Sequence, residues 1–421
     1  MVDVFINDSD SNHSNLCVHV LGLLASLSLF LPARCSAPRR LNGYLCGFWM
    51  PSISDTTSLF IWNLVMHPKH HCVEKVAHIC HRHFIWILIT SYFMASLFPD
   101  FGIWIREVKL GSTTLLHGTL EFSVPSLMLS LLLFNAGLSI RTEDFKRLGR
   151  RPSVLLGGLC GNLVTPLAFL VGVSFIMSFW HNPEEAQDIL VGLALIMSMP
   201  IAGASTAWTQ NANGNLVLSL GLILLTTLLS PITSPLVLHT AGFVTSGDHS
   251  EDLHEFASNS VTTFLGVWVI LPSLLGILMH RFVFKQSPAV AKSGIRLINY
   301  ILLLLLNYSN ASLTLPDALS HPDIDLIVIM LIIVILLCTL GFYTGYLIAK
   351  VFHLDRKDMA SLMFGLGMNN NGAGLVLVSI AMADHSQVML PILFYNLVQH
   401  FVASFVNSIA FRSGAESYQS T

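Results

Sequence analysis

Two stretches of the chain, Pro200-Ile201-Ala202-Gly203-Ala204-Ser205-Thr206 and Gly367-Met368-Asn369-Asn370-Asn371-Gly372-Ala373-Gly374, are polar, glycine-bearing interruptions of otherwise apolar runs. Pro200 has no amide hydrogen for a helical ladder and Gly203 is conformationally permissive, so the helix is expected to fail there and restart near Ser205. Three adjacent asparagines are costly in hydrocarbon unless they face a polar cavity. Freed amides at a half-helix N-terminus attract anions, and freed carbonyls with side-chain oxygens beside them coordinate sodium. Paired interruptions of this kind point to a secondary transporter whose binding site lies at mid-membrane. The competing reading gives Gly203, Gly372 and Gly374 to close helix packing and the asparagines to bonds across helices. It leaves three adjacent amides unexplained.

Outward from these stretches, composition fixes the solvent. With 53% hydrophobic and 11% charged residues and a mean hydropathy of +0.68, the chain has too little polar surface to cover a water-soluble domain, which makes it a polytopic membrane protein. A formal net charge of -3, with no basic stripe outside the loops, gives no footing for nucleic acid. Seven cysteines form no paired framework, and those in apolar runs, such as Cys338, behave as small apolar residues. About ten apolar stretches of roughly 20 residues begin near His83, Pro125, Ser153, Asp188, Leu216, Ser260, Ile295, Asp325, Asp358 and Val388. All are expected to be helical, because the runs lack the period-two alternation of a barrel.

Loop charge alternates along the chain. Arg141 to Arg151, Arg281 to Arg296 and Lys350 to Lys357 are basic, whereas the intervening loops carry Glu184, Glu185 and Asp188, then Asp248, Glu251, Asp252 and Glu255, then Asp317, Asp323 and Asp325. The basic loops are expected in the cytoplasm. Lys69, Lys75 and Arg82 before the first span and Arg412 after the last put both termini there too, in a multi-pass protein of the cell membrane. The first five span starts recur about 170 to 177 residues later. This gives a first repeat at 82–242 and a second at 258–412, between an N-terminal extension (1–81) and a tail (413–421). Five is odd, so the second repeat enters from the opposite side and the two are inverted. The spacing regularity of any ten-helix bundle is the alternative.

At these residues the chain resembles the bile acid:sodium symporter family and its bacterial homologues, over roughly residues 82–412. Pro200, Ser205, Thr206, Leu218 and Ser219 occupy places of a fourth-helix pattern, Pro-Gly-Gly-x-x-Ser-Asn followed by Leu-Ser. Gly365-Leu366-Gly367-Met368-Asn369-Asn370-Asn371-Gly372 is similar to a ninth-helix pattern, Glu-x-Gly-Met-Gln-Asn-x-Gly. The stretches 307–312 and 133–138 also resemble bacterial members. The resemblance implies an all-α fold of ten helices in two inverted repeats, with crossed, discontinuous fourth and ninth helices in a core domain. The first, second, sixth and seventh helices form a panel domain. It implies transport of a small organic anion by alternating access, as the core rocks against the panel. Gly203, Ser205, Asn370 and Asn371 would hold the anion. Ser205, Thr206, Ser219 and Asn369, with the carbonyls of Leu366 and Met368, would hold sodium.

The departures fall on the ion ligands. The family's glutamate is Gly365 here, an asparagine is Thr206, a fifth-helix threonine is Ile223, and a third-helix glutamine is Gly161, with Asn162 beside it. Sodium needs oxygen ligands, and this set removes the carboxylate. One neutral sodium site in place of two, a sodium-independent or proton-coupled carrier, and a ligand-sensing membrane protein that does not transport all stay open. An enzyme is not expected: neither His-Glu-x-x-His nor Gly-x-Ser-x-Gly is present, and the acids lie almost wholly in loops. No cofactor is expected beyond the ion. The partners are a small organic anion and the bilayer; sequence leaves oligomeric state and the solute open.

Other polar residues carry less. Asn135, Asn396, Gln399 and Asn407 are expected to hydrogen-bond between helices, Glu121 to be interfacial, and His400 to be structural, with proton coupling as its other reading. Leu16 to Pro32 is short for a span, and its acidic flank is wrong for a signal peptide. The group His67, His70, His71, Cys72, His78, Cys80, His81 and His83 matches no zinc motif, so no metal site is assigned. A basic segment held at the lipid surface fits this stretch better.

Overall fold

In a bilayer each backbone polar group must be satisfied within its own segment or by a neighbour, and this chain answers with helices. The computed structural model describes residues 83–115, 118–138, 152–259, 261–283, 289–320, 322–381 and 386–411, all within the unit Trp62–Thr421. The first half holds α1 (Phe84–Leu97), α2 (Pro99–Glu107), α3 (Val124–Leu138), α4 (Pro152–Met177), α5 (Pro183–Ser198), α6 (Ser205–Asn211) and α7 (Leu216–Gly242). An amphipathic α8 (Asp248–Asn259) connects to α9 (Val261–Phe264), which runs through a π-helical segment (Leu265–Ile270) into α10 (Leu271–Val283). The rest is α11 (Ala289–Ser320), α12 (Ile324–Val351), α13 (Arg356–Leu366), α14 (Asn371–Ala381) and α15 (Met389–Val406), which ends in a π-helical turn. The expected extension (1–81), its histidine and cysteine group up to His81, the basic loop 141–151 and the tail lie outside the described residues.

The protein is a polytopic, all-α integral membrane protein but for one hairpin. That hairpin, β1 (Lys109–Leu115) with antiparallel β2 (Gly118–Ser123), falls where only a connection preceding the second span was expected; it includes Glu121. Among the described residues six helices are long and apolar enough to cross a membrane, and α1 with α2, bent by 89° at their junction, makes a seventh if taken as one span. At about 1.5 Å per residue, α5 is about 24 Å long and α13 about 17 Å, so neither fills a hydrocarbon core of about 30 Å by itself. Each continues, after an interruption, in a second short helix.

Starts follow local capping. Asn182 accepts from Glu184 N at 3.1 Å with Pro183 at the first helical position of α5; Asn215 accepts from Val217 N at 3.1 Å, Asp323 from Leu326 N at 3.2 Å and Asp355 from Asp358 N at 2.8 Å. Each oxygen satisfies an amide that has no partner inside the helix.

Two packed groups result. α1, α2 and α3 pack with α10 and α11; α4, α5, α7, α12, α13 and α15 pack among themselves. Because lipid gives helices no hydrophobic reason to associate, close backbone approach must supply the contact. Gly137 and Gly276 provide it between α3 and α10: a Cβ on either would lie 2.2 Å from Ser273 O or 2.1 Å from Phe134 O. On α12, Gly341 and Gly345 do the same against Leu366 O and Leu362 O, each at 2.5 Å from such a Cβ, which seats the end of α13 on α12.

Candidate functional site

α5 stops at Ser198 and α6 begins at Ser205; α13 stops at Leu366 and α14 begins at Asn371. The expected restart at Ser205 is therefore observed. Between the helix halves the two interruptions run antiparallel and complete each other's backbone. Asn370 N donates to Pro200 O at 2.9 Å and Ala202 N to Met368 O at 2.9 Å, with Ile201 opposite Asn369. The amides of that central pair point outward and are taken by side chains of the next long helices: Ile201 N donates to Thr226 Oγ1 at 3.2 Å, and Asn369 N to Gln399 Oε1 at 3.1 Å. Thr226 and Gln399 sit equally far into α7 and α15.

Backbone pairing does not exhaust the polar atoms here. Ser205 Oγ, Asn369 Oδ1 and both side-chain atoms of Asn371 are buried without a hydrogen-bond partner, on residues 0%, 6% and 1% exposed. Each such group forfeits about 1–3 kcal/mol. Three of these four atoms are oxygens, the donor type that a hard cation takes. Thr209 shares a face of α6 with Ser205 and donates to Ser219 Oγ at 3.4 Å, so Ser205 faces the side on which Ser219 lies.

Other expected site residues have nearer duties. Thr206 Oγ1 donates to Gly203 O at 2.7 Å. Asn370 Oδ1 accepts from Ala373 N at 3.3 Å, capping α14, and Asn370 is only half-buried. Met368 O holds the bond from Ala202, Leu366 O abuts Gly341, and Gly203 is exposed with open space where a Cβ would stand. At Gly365 an added Cβ would meet only Leu222 and Ile201 side chains, and at Gly161 its nearest neighbours would be Ile348, Thr344 and Leu366 side-chain carbons. The family's carboxylate and glutamine positions are thus lined mainly by hydrocarbon. The buried oxygens without a partner here, on Ser205, Asn369 and Asn371, are of the neutral type that sodium accepts, and no carboxylate is among them.

Asn369 also donates through Nδ2 to Ile196 O at 3.1 Å, and a chain of amides leads away from it. Gln399 Nε2 donates to Asn396 Oδ1 at 3.2 Å; Asn396 Nδ2 donates to Asn307 Oδ1 at 2.7 Å and to Tyr92 OH at 3.0 Å. The interhelical role expected for Asn396, Gln399 and Asn135 holds, the last through Asn299 Oδ1 at 2.7 Å. Asn407 Oδ1 has no partner. His400 is buried and its Nδ1 accepts from Trp208 Nε1 at 3.3 Å; an indole only donates, so that nitrogen carries no proton. Thr226 and Thr209 were not expected at the site. The sequence signal of Thr226 is polarity within an apolar run, whereas Thr209 is one of many polar residues in the stretch 205–215.

One acid is an exception to the expected placement almost wholly in loops. Asp358, in the first turn of α13, is buried and accepts from Asn215 Nδ2 at 2.7 Å, where a helix N-terminus favours its charge. A cavity of about 270 Å³ lies away from the breaks, lined by Glu185, Asp188, Asp317, Asp323 and Gln387 among others. Its Asp323 is held below the ordinary carboxylate range, first by a hydrogen bond with Asp325 and then by the Leu326 amide. Among the described residues no three His, Cys, Asp or Glu side chains are grouped to hold a metal ion.

The sequence profile of the SBF-like CPA transporter family matches residues 82–411. The chain belongs to this family. Among its SBF-like relatives, the uncharacterized sodium-dependent transporter YocS of Bacillus subtilis (strain 168) is 25% identical over 338 residues, which covers 79% of this chain and 93% of YocS. The probable sodium/metabolite cotransporter BASS2, chloroplastic, of Oryza sativa subsp. japonica is 27% identical over 261 residues, 61% of this chain and 57% of its own length. The sodium-dependent organic anion transporter of Bos taurus is 26% identical over 248 residues, 59% of this chain and 61% of its own. These SBF-like relatives are transporters rather than enzymes.

Proposed function

We propose that the protein is a secondary active transporter that moves a small organic anion across the cell membrane by alternating access, with one sodium ion as the coupling partner. The observation that carries this is the mutual pairing of the two breaks around buried polar atoms that no protein group satisfies. Ten spans result when α1 with α2, α3, α4, α5 with α6, α7, α9 with α10, α11, α12, α13 with α14, and α15 are each counted once. Read so, they form two inverted repeats of five, and the matching placement of Thr226 and Gln399 supports the repeat. The group containing α4 to α7 and α12 to α15 is the core, and α1 to α3 with α9 to α11 is the panel.

Sodium takes Ser205, Ser219 and Asn369, with Thr206 and the carbonyls of Leu366 and Met368 at the margin. The anion lies against Gly203, Ser205, Asn370 and Asn371, where the N-terminus of α14 favours negative charge. Sodium, when bound, supplies positive charge beside the solute, and its release on the dilute side makes the cycle directional. Purified protein in liposomes tests this. A panel of small carboxylates and sulfonates under an inward sodium gradient should include at least one that accumulates, and accumulation should fail when potassium replaces sodium. If none moves under sodium, proton or potential gradients, the transport reading is wrong. The hydrocarbon surroundings of Gly365 favour a second reading, a sodium-independent carrier, which would show accumulation indifferent to that replacement.

A further inference from the structure

Arg106 is a half-buried cation. It lies on α2 one turn beyond Gly102, hence on the same face, and that face is pressed on α11: a Cβ on Gly102 would lie 2.1 Å from Ser312 Oγ. Tyr308 of α11 also donates its hydroxyl to Phe98 O at the α1–α2 bend. Arg106 is therefore turned toward α11, half-buried, and its guanidinium donates through Nη1 to Asn310 Oδ1. Among the described residues that is its sole hydrogen bond, and no carboxylate pairs with it.

The sign of what is missing can be read directly. A guanidinium has donors only, so the oxygen of Asn310 must face it and the amide nitrogen must point elsewhere. Asn310 is 0% exposed, and its Nδ2 has no acceptor. The buried side-chain atom left without a partner at this junction is thus a donor, beside a positive charge that no carboxylate among the described residues pairs with. At the breaks the unmet capacity is mostly oxygen. A cation suits the breaks; an oxyanion suits this junction.

We propose that Arg106 and Asn310 form an oxyanion-binding site at the junction of α2 and α11, which takes a carboxylate, sulfonate or phosphate group. Two sources carry that chemistry: the charged end of the transported solute, an assignment that rests on the transport reading above, and the phosphate of a lipid headgroup. Asn307 lies one helical turn from Asn310 on the same face of α11 and opens the amide chain through Asn396 and Gln399 to Asn369. The hydrogen-bonded chain to the breaks thus begins one helical turn from Asn310.

The test uses full-length protein in phosphatidylcholine discs with benzenesulfonate as the free-anion probe, titrated against chloride at matched ionic strength. Thermal unfolding should show saturable stabilisation, with half-saturation moved by about tenfold or more in Arg106→Gln and Asn310→Leu, and less in Arg106→Lys. Replacing part of the lipid by phosphatidylglycerol separates the sources. Stabilisation of wild type over Arg106→Gln by that lipid, without a response to benzenesulfonate, supports the site with a headgroup as occupant. In wild-type protein, which needs no variant to fold, either occupant should slow phenylglyoxal modification of Arg106 as read by mass spectrometry. Equal responses of wild type and variants to both anions, or labelling of Arg106 that neither anion slows, overturn the site. Solute uptake with unchanged affinity in Arg106→Gln removes the solute assignment and leaves transport intact. Protected Arg106 in a protein that transports nothing does the reverse.

Discussion

The two breaks do the same backbone work with opposite chemistry. The first is built from Pro200, Ile201, Ala202 and Gly203, and it ends its helix by withholding an amide and relaxing a backbone. Its own side chains give little to a ligand. The second ends its helix after Gly367 and fills the gap with Asn369 and Asn370, whose side chains compete with the ladder they replace. Both then hand one amide to the other strand and one to a side chain on the following long helix, Thr226 in one case and Gln399 in the other. On the proposed function, the first break serves mainly as scaffolding, with Ser205 its chief contribution, and more of the recognition would fall on the asparagine side.

If so, substitutions at matching places should have unequal effects. Asn369→Leu removes the bond to Ile196 O and the open Oδ1 together. We expect a loss of about tenfold or more in transport efficiency and a stability cost of about 1–3 kcal/mol. Its opposite number, Ile201→Leu, keeps volume and should cost less than about 1.5 kcal/mol with transport retained. Uptake by liposomes containing matched amounts of folded protein measures both. Equal losses would mean that the breaks share recognition evenly.

The anchors come next. Gln399→Leu strands the Asn369 amide and also cuts the link to Asn396, whereas Thr226→Val strands only the Ile201 amide. Each should lower stability by about 1–3 kcal/mol, Gln399→Leu by the larger amount. Only Gln399→Leu should shift the sodium concentration that half-stabilises the protein in thermal melts. A sodium shift of the same size in Thr226→Val would show that both anchors set the ion site.

Sterics sharpen the contrast further. Gly341→Ala would bring a methyl group within 2.5 Å of Leu366 O, so α13 must move off α12 at an overpacking cost of about 1–3 kcal/mol. Gly203→Ala meets nothing within 4 Å and should stay within about 0.5 kcal/mol of wild type. Urea or thermal unfolding of the two variants in detergent reads the difference. A Gly203→Ala protein as unstable as Gly341→Ala would mean that the first break needs a conformation alanine refuses.

Much of this frame was legible from local chemistry. Helices begin at Phe84, Val124, Pro152, Leu216, Val261, Ile324, Arg356 and Met389, within a few residues of where the apolar runs were expected to start, because run length and capping residues are local properties. The fourth begins at Pro183 rather than near Asp188, since Glu184 and Glu185 lower hydropathy yet favour a helix N-terminus. Pro200, Gly203 and the asparagine triplet announced both breaks. What stayed hidden depends on residues far apart in sequence. Nothing near Thr226 says that it will meet Ile201, and nothing near Arg106 says that its face will be pressed against Asn310. Nor does the sequence say that Asn370, proposed above to hold the solute, also caps its own helix through the Ala373 amide. The β1–β2 hairpin was missed because a short strand pair beside a span leaves only a weak alternation signal.

One small effect on stability is also the most diagnostic. Ser205 is at the start of α6, fully buried, and its hydroxyl has no partner, so the folded protein bears the cost of burying it and gains no bond in return. Ser205→Ala should leave stability unchanged or raise it by up to about 1 kcal/mol, the reverse of most buried polar substitutions. The same change should weaken the sodium dependence of thermal stability, because the ion loses an oxygen. A role in packing alone predicts no change in either, and a hidden hydrogen bond predicts lower stability with sodium dependence intact. Only an oxygen kept for a ligand gives a protein that is no less stable without sodium and less responsive to it, and that outcome would bring the first break back into recognition through one side chain.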